Sequence, residues 1–374
     1  MANTTTASEL RVTKFLSDFW REWIRENRFS KYTGTSNNNV IVIKEGRQRI
    51  EIPLVTRLKG DGVSGSSTLR GNGEAIGNYG LLLTPSYARH AVEFDKEEME
   101  KPNIDLMRAA RPLLMDWSKE YVRDLMIEGM GAIYNGTTYA NYGSSAAAAN
   151  DTWLTNQESG GDRVLYGKAT SNLSSGNHTS SLGNIDTTND KLTPEMVSLA
   201  KRLAQNADPH IRPLRTRDDD EMYVMFCDPY AFRDLNENST MVQANREARA
   251  RGLNNPLFRG GDLIWDDVIV RSVPEIATAI DGTSGTNGKW GGSATADGLN
   301  TAGNSSSRVG ASFLCGQQAL SFGLGQRPRI VVDRLFDYEF QPGVAVELKQ
   351  DIQKSYFNDI QHGMVTVFSS AAVD

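Results

Sequence analysis

Between Val12 and Ile24 the apolar residues Val12, Phe15, Leu16, Phe19, Trp20, Trp23 and Ile24 recur every three or four positions, which predicts a helix with one apolar face. Polar and charged residues fill the positions between them, with Asp18 and Arg21, and Glu22 and Arg25, at i,i+3 spacing. The apolar face needs cover, either from the protein's own core or from a neighbouring subunit. Charges from Glu9 to Arg28 sum to +1, too few for the strongly basic face of an interfacial membrane helix. After the polar run Ser36 to Asn39, residues 40–43 and 49–58 read as strands. The second alternates through Ile50, Ile52 and Leu54, and Pro53 marks it as an edge strand. A Gly-rich stretch follows, and the chain returns along 79–83 and 89–94, giving a long two-stranded ribbon. A lone ribbon cannot bury both faces, so it must lie on something else.

Asn103 can cap a helix in which Leu106, Ala110, Leu113, Trp117, Tyr121 and Leu125 step by three or four, ending at Gly129 and Gly131. Its length would be roughly 37 Å at about 1.5 Å per residue. Pro112 either kinks this helix or starts a shorter one. Further on, Thr193-Pro194-Glu195 opens a helix over 194–205, with Leu192 placed to staple to Val197. Residues 222–227 form a strand, Asp228-Pro229 caps another helix, and 263–273 is strand-like around Ile264 and Ile269. Strands over 329–333, 344–348 and 363–368 close the chain.

The 374 residues exceed the roughly 250–300 at which one hydrophobic core stops growing, so two or more lobes are expected. Many of the 34 glycines gather with Ser, Thr and Asn in 134–190 and 281–307, which read as long surface segments. A net charge of -6 without a basic arm argues against a surface that grips nucleic acid. Arg246, Arg249 and Arg251 form one small basic patch, facing phosphate or only water. Cys227 and Cys315 are far apart and have no nearby Cys or His, so neither a disulfide framework nor a zinc site is written, and a reducing compartment is expected. No run approaches the ~18 apolar residues of a membrane span.

Gly60-Asp61-Gly62-Val63-Ser64-Gly65 spells G-x-G-x-x-G, but no helical rhythm follows to carry a pyrophosphate, and no Lys-Ser or Lys-Thr makes it a P-loop. Gly62-Val63-Ser64-Gly65-Ser66 lacks the second glycine of a nucleophile elbow. The acidic run Arg217 to Glu221 lacks the alternate spacing of a calcium loop. Glu97-Glu98 and Asp266-Asp267 are neighbouring acids expected to point apart into solvent. No catalytic, cofactor-binding or metal-binding residue is therefore assigned. A hydrolase would need a site built from His90 and scattered acids, whereas the missing motifs favour a protein whose function is its shape.

Several short motifs then occur in a common order: Arg57-Leu58-Lys59-Gly60-Asp61-Gly62-Val63-Ser64-Gly65, Leu69-Arg70-Gly71-Asn72-Gly73-Glu74 and Tyr87-Ala88-Arg89-His90-Ala91-Val92. Toward the C-terminus come Phe313-Leu314-Cys315-Gly316-Gln317-Gln318-Ala319-Leu320, Phe336-Asp337-Tyr338, Lys354-Ser355-Tyr356-Phe357-Asn358 and His362-Gly363-Met364-Val365-Thr366-Val367. With the order of elements, they resemble tailed-phage major capsid proteins of the Hong Kong 97-like fold, and more narrowly the capsid family of N4-like podoviruses. The resemblance implies an α+β fold: an N-terminal arm (1–45), an extended E-loop hairpin (46–95) and a P-domain with a long spine helix (96–192). An A-domain (193–330) and C-terminal strands returning to the P-domain (331–374) complete it. The 134–190 and 281–307 segments look like insertions outside the resemblance, and Gly73-Glu74-Ala75 carries one acid where family members usually carry two.

What the resemblance implies for function is self-assembly into hexamers and pentamers of an icosahedral shell around double-stranded DNA, without catalysis or cofactor. Implied partners are copies of the chain, scaffolding, portal and decoration proteins, and packaged DNA in weak non-specific contact. The implied location is the virion capsid, assembled in the bacterial cytoplasm, with no membrane contact. Contacts between subunits would fall to Phe15, Phe19, Trp20, Trp23, Lys59, Asp61, Arg70 and Glu74. Some shells of this fold join an E-loop lysine to a neighbour's Asn. Lys59, the one lysine from Gly46 to Asp95, would hold that place or be simply an exposed lysine. An encapsulin-like compartment, which shares the fold and encloses protein cargo, is the related alternative.

Overall fold

Strand Glu221–Cys227 alternates between two apolar clusters, sending Tyr223, Met225 and Cys227 into one and Val224 and Phe226 into the other. A strand apolar on both faces needs cover on both. It finds that cover inside a seven-stranded sheet of the computed structural model. The order is Leu263–Trp265, Val268–Ser272, Glu221–Cys227, Val309–Cys315, Met364–Ser370, Val164–Tyr166, with Leu214–Arg215 also paired to Glu221–Cys227. Helices Pro194–Asn206 and Pro229–Glu237 pack on one face. Phe29, helix Pro274–Asp281 and the C-terminal half of a long helix, Leu106–Gly131, pack on the other. The structure describes residues 29–96 except 57, 59, 61 and 67, then 106–134, 139–141, 163–215 except 175, 220–249, 263–281, 299, 303–333, and 340–371 except 359. The helix expected over 12–24, the Asn103 cap and the Glu97-Glu98 pair lie outside these residues.

The long helix is the expected spine. Its 26 residues give a length of roughly 39 Å, and it runs through Pro112 rather than starting there. Its buried stripe is Ala110, Leu114, Ser118, Val122, Met126 and Met130, one position on from the stripe expected through Leu113, Trp117, Tyr121 and Leu125. Leu113 is 66% exposed, while Trp117, Tyr121 and Leu125 pack along one flank. Ser118 can occupy the stripe because its hydroxyl donates to the Met115 carbonyl at 2.7 Å, satisfying a polar group that composition alone would place outside. Beneath the helix lies a five-stranded sheet, ordered Thr33–Gly34, Ile41–Glu45, Leu320–Asp333, Gly343–Lys354, Ser86–Glu93. Strand Gly343–Lys354 buries its even-numbered positions against the helix and leaves the odd ones from 345 onward half-exposed.

Capped elements form as expected. Thr193 Oγ1 accepts from the Met196 amide to start helix Pro194–Asn206, and Asp228 accepts from Tyr230 N to start Pro229–Glu237. Three expectations need correction. The strand-like 263–273 is a hairpin, because Asp266 and Asp267 take φ of 48° and 58° and make a two-residue turn between Leu263–Trp265 and Val268–Ser272. Those two acids do not point apart: both carboxylates bind the Lys201 ammonium at 2.9 Å. The Gly/Ser/Asn-rich stretch is not surface throughout, since Val164–Tyr166 is an edge strand of the larger sheet and Leu182, Ile185 and Asp190 are buried. Strand Met364–Ser370 pairs with Val309–Cys315 in the seven-stranded sheet, and its Met364 and Phe368 share a buried cluster with Val122, Met126 and Met130 of the spine helix. Every residue of that strand is buried, a pattern that only the doubly covered sheet accommodates.

Candidate functional site

The ribbon is formed by Ile50–Val55 and Asn78–Leu83, antiparallel, with Ile50 opposite Leu83 and Val55 opposite Asn78. The second return segment expected in it, 89–94, instead belongs to strand Ser86–Glu93 of the five-stranded sheet, paired with Gly343–Lys354. At the ribbon's root Ile50, Leu81 and Leu83 are buried with Phe357, and Ile52 and Leu54 pack against them. Toward the tip that cover ends. Val55 is 63% exposed, Leu58 55%, Leu69 70% and Ile76 65%, and Tyr79 and Leu82 are also exposed. These exposed apolar side chains along one projection are the candidate surface for contact with another molecule.

Beyond Val55 the two limbs stay together through polar ties. The Thr56 amide donates to the Gly77 carbonyl, and the Gly60 amide donates to Glu74 Oε2 at 2.7 Å. Asn72 Nδ2 donates to the Thr68 carbonyl at 2.9 Å. Gly62, Gly65 and Gly71 have φ of 71°, 71° and 91°, which only glycine adopts without strain. The G-x-G-x-x-G run is therefore ribbon tip and opens no helix. Of the residues expected to make contacts between subunits, Glu74 braces the tip within its own chain and Arg70 is exposed beside it. Lys59 and Asp61, together with Phe15, Phe19, Trp20 and Trp23, lie outside the described residues.

His178 and both cysteines are buried, His362 is half-buried, and His90 is exposed. His90, the imidazole a hydrolase reading needs, packs on Trp117 with ring centroids 4.8 Å apart. His178 is buried between Tyr166 and Phe368, its Nδ1 is 2.6 Å from the Tyr166 hydroxyl, and burial pushes its pKa down to about 4. Burial, aided by the Arg163 cation, likewise takes His362 down to about 4. Both cysteines are free and buried, and burial pushes the Cys315 thiol up to about 12. Among the described residues no cluster of three His, Cys, Asp or Glu could hold a metal ion, and no helix is long and apolar enough to cross a membrane. A cavity of about 580 Å³ lies beside the ribbon, lined among others by Val55, Tyr79, His210, Arg212, Gln317 and Phe357. The residues that hold the ribbon's root, Gly323, Gly325, Lys349 and Asp351, belong to no motif in the sequence. Two glycines inside a strand were the available signal, since they mark a bulge or a close approach of backbone.

This arrangement, a spine helix over a sheet of long strands, a second sheet between helices and a projecting ribbon, is the Hong Kong 97-like capsid fold. In solved structures it matches the capsid of cyanophage Pam1 at a TM-score of 0.80 with 33% identity, covering 94% of each chain. It matches the capsid of Ralstonia phage GP4 at 0.66 with 21% identity, covering 93% of this chain and 91% of that one. The major capsid protein of Pseudomonas phage KPP25 is 26% identical over 370 residues, covering 94% of this chain and 93% of that protein. The model of the phage capsid protein family matches residues 3–373. The chain belongs to that family: it is a capsid subunit, a component of the virion shell that acts by associating with copies of itself.

Proposed function

We propose that the chain is the major capsid protein of a tailed phage, forming the hexamers and pentamers of an icosahedral shell that encloses double-stranded DNA. The observation that carries this reading is the ribbon, on which Val55, Leu58, Leu69 and Ile76 are each more than half exposed in one copy. Covering them on a neighbour stabilises the assembly by about 25 cal/mol for each Å² of apolar surface removed from water. The work is structural and not enzymatic. Contacts between subunits run through Phe15, Phe19, Trp20 and Trp23 of the N-terminal segment and through Lys59, Asp61, Arg70 and Glu74 of the ribbon tip. Scaffolding, portal and decoration proteins are partners of this shell, which assembles in the cytoplasm of the bacterial host. A net charge of -6 suits an inner wall that touches packaged DNA only weakly. An encapsulin-like shell would hold protein cargo and no nucleic acid, and the family match favours the phage.

The test is the combined substitution Leu69→Ser and Ile76→Ser in the full chain. Both side chains are exposed, so the expected result is a subunit with unchanged thermal midpoint that sediments as small species where the parent forms shells. Shells formed as readily by the variant would contradict the reading.

A further inference from the structure

The outer face of the five-stranded sheet, opposite the spine helix, carries a socket for the ribbon's root. Its floor is Gly323 and Gly325 on strand Leu320–Asp333. A Cβ at Gly323 would stand 3.2 Å from both Ile50 Cδ1 and Leu83 Cδ1, and one at Gly325 would stand 2.9 Å from Pro85 Cβ. Both glycines thus leave room for the two ends of the ribbon to rest directly on the strand. The walls are Lys349 and Asp351 on strand Gly343–Lys354, two residues apart and hence on one face. Lys349 Nζ donates to the Arg47 carbonyl at 2.6 Å, just before the outgoing limb. Asp351 Oδ2 accepts from the Thr84 amide at 2.8 Å, just after the returning limb, and is itself held by Gln353 Nε2 at 2.9 Å. Two further ties act on the outgoing side, the Gly46 amide on the Leu324 carbonyl and Arg327 on Glu45 at 3.0 Å.

The pairing of the two long strands also slips here, with a register shift between Leu324 and Gln326 directly at Gly325. A bulge bends its strand and fixes a local direction. One charged side chain therefore grips each root of the ribbon at the point where the underlying strand turns.

We propose that Lys349 and Asp351 are positioning residues that set the angle at which the ribbon leaves the subunit, and thereby the geometry in which a second copy is engaged. This rests on the shell reading, because an angle matters only if the ribbon reaches another copy.

The test uses the full-length chain and two readouts. In the double variant Lys349→Ala, Asp351→Ala, hydrogen exchange of the Thr84 amide and of ribbon-root amides rises about tenfold, as expected from losing a charge-assisted hydrogen bond. Protection within Glu221–Cys227 and Val309–Cys315 stays at the parent level. Electron microscopy of its particles shows open or irregular shells, or a shifted diameter. Asp351→Asn, whose amide oxygen can still accept from Thr84, restores both readouts relative to Asp351→Ala. If the double variant does not fold, the two single variants at 351 supply the same comparison. The proposal is overturned if root exchange is unchanged, or if the root loosens and shells keep the parent's diameter and closure. Failure of the unmodified chain to form shells would count against the shell reading, and the exchange result on the root would stand apart from it.

Discussion

Asp190 organises a segment whose composition reads as loop. Its carboxylate accepts from the Lys168 amide, Asn172 Nδ2 and the Asp186 amide, each at 2.8 Å, and its carbonyl accepts from the Ser370 amide. Gly167 beside it has a φ of 61°, and a Cβ there would run into Asp190 and Asn172. Asp190→Ala leaves several buried donors unanswered, and a loss of about 3 kcal/mol is expected in urea unfolding. Arg308 and Asp228 form a buried ion pair that joins helix Pro229–Glu237 to strand Val309–Cys315, with Arg308 also donating to the Ala371 carbonyl. Arg308→Met strands the carboxylate, and the expected cost is about 3–5 kcal/mol by the same measurement. His178 makes stability depend on pH. Its pKa is about 4 folded against an ordinary 6.5, so below pH 6.5 the unfolded chain gains a proton that the folded chain refuses. Stability is complete above pH 6.5 and falls toward pH 4, by up to about 1.4 kcal/mol per pH unit for this group. His362 acts in the same direction, so His178→Gln should lessen the slope of urea-unfolding stability between those pH values without abolishing it.

Elements with local signals were legible in the sequence, and those defined by their partners were not. Thr193 and Asp228 mark the starts of their helices because a cap is a contact within a few residues. Ile50, Ile52 and Leu54 announced the ribbon by simple alternation. The spine helix was legible as a helix, yet its buried face was read one residue away. Met130 and Ser118 define that face only through what they touch, and Trp117 drew the eye to the flank. Strand Ser86–Glu93 follows the ribbon in sequence but joins Gly343–Lys354, some 250 residues away in the chain, and no local pattern specifies such a pairing. The candidate site was half visible: its Gly-rich tip could be read, whereas the socket at its root is built by two strands more than 230 residues further along the chain. A prediction belongs at this scale. Replacing residues 56–77 with an Asn-Gly turn should leave the two sheets and their thermal midpoint intact, since Ile50, Leu81 and Leu83 supply the buried part of the ribbon. It should abolish shells, as sedimentation velocity would show.

At the scale of the molecule, among the described residues, the seven-stranded sheet is covered on both faces and the five-stranded sheet by the spine helix on one, while the ribbon leaves apolar side chains exposed. A stable contact between copies needs about 1,600 Å² of buried surface in total, and a ribbon with apolar residues from Val55 to Ile76 is shaped to supply a share of it. On the proposed reading, glycines at the tip would let the same ribbon meet neighbours in five- and six-membered rings, where the angles differ. The most direct test is electron cryomicroscopy of the purified full-length chain. The account predicts closed shells in which Leu58, Leu69 and Ile76 are covered by an adjacent copy. Isolated subunits at every concentration, with the ribbon folded back onto its own body, would contradict it.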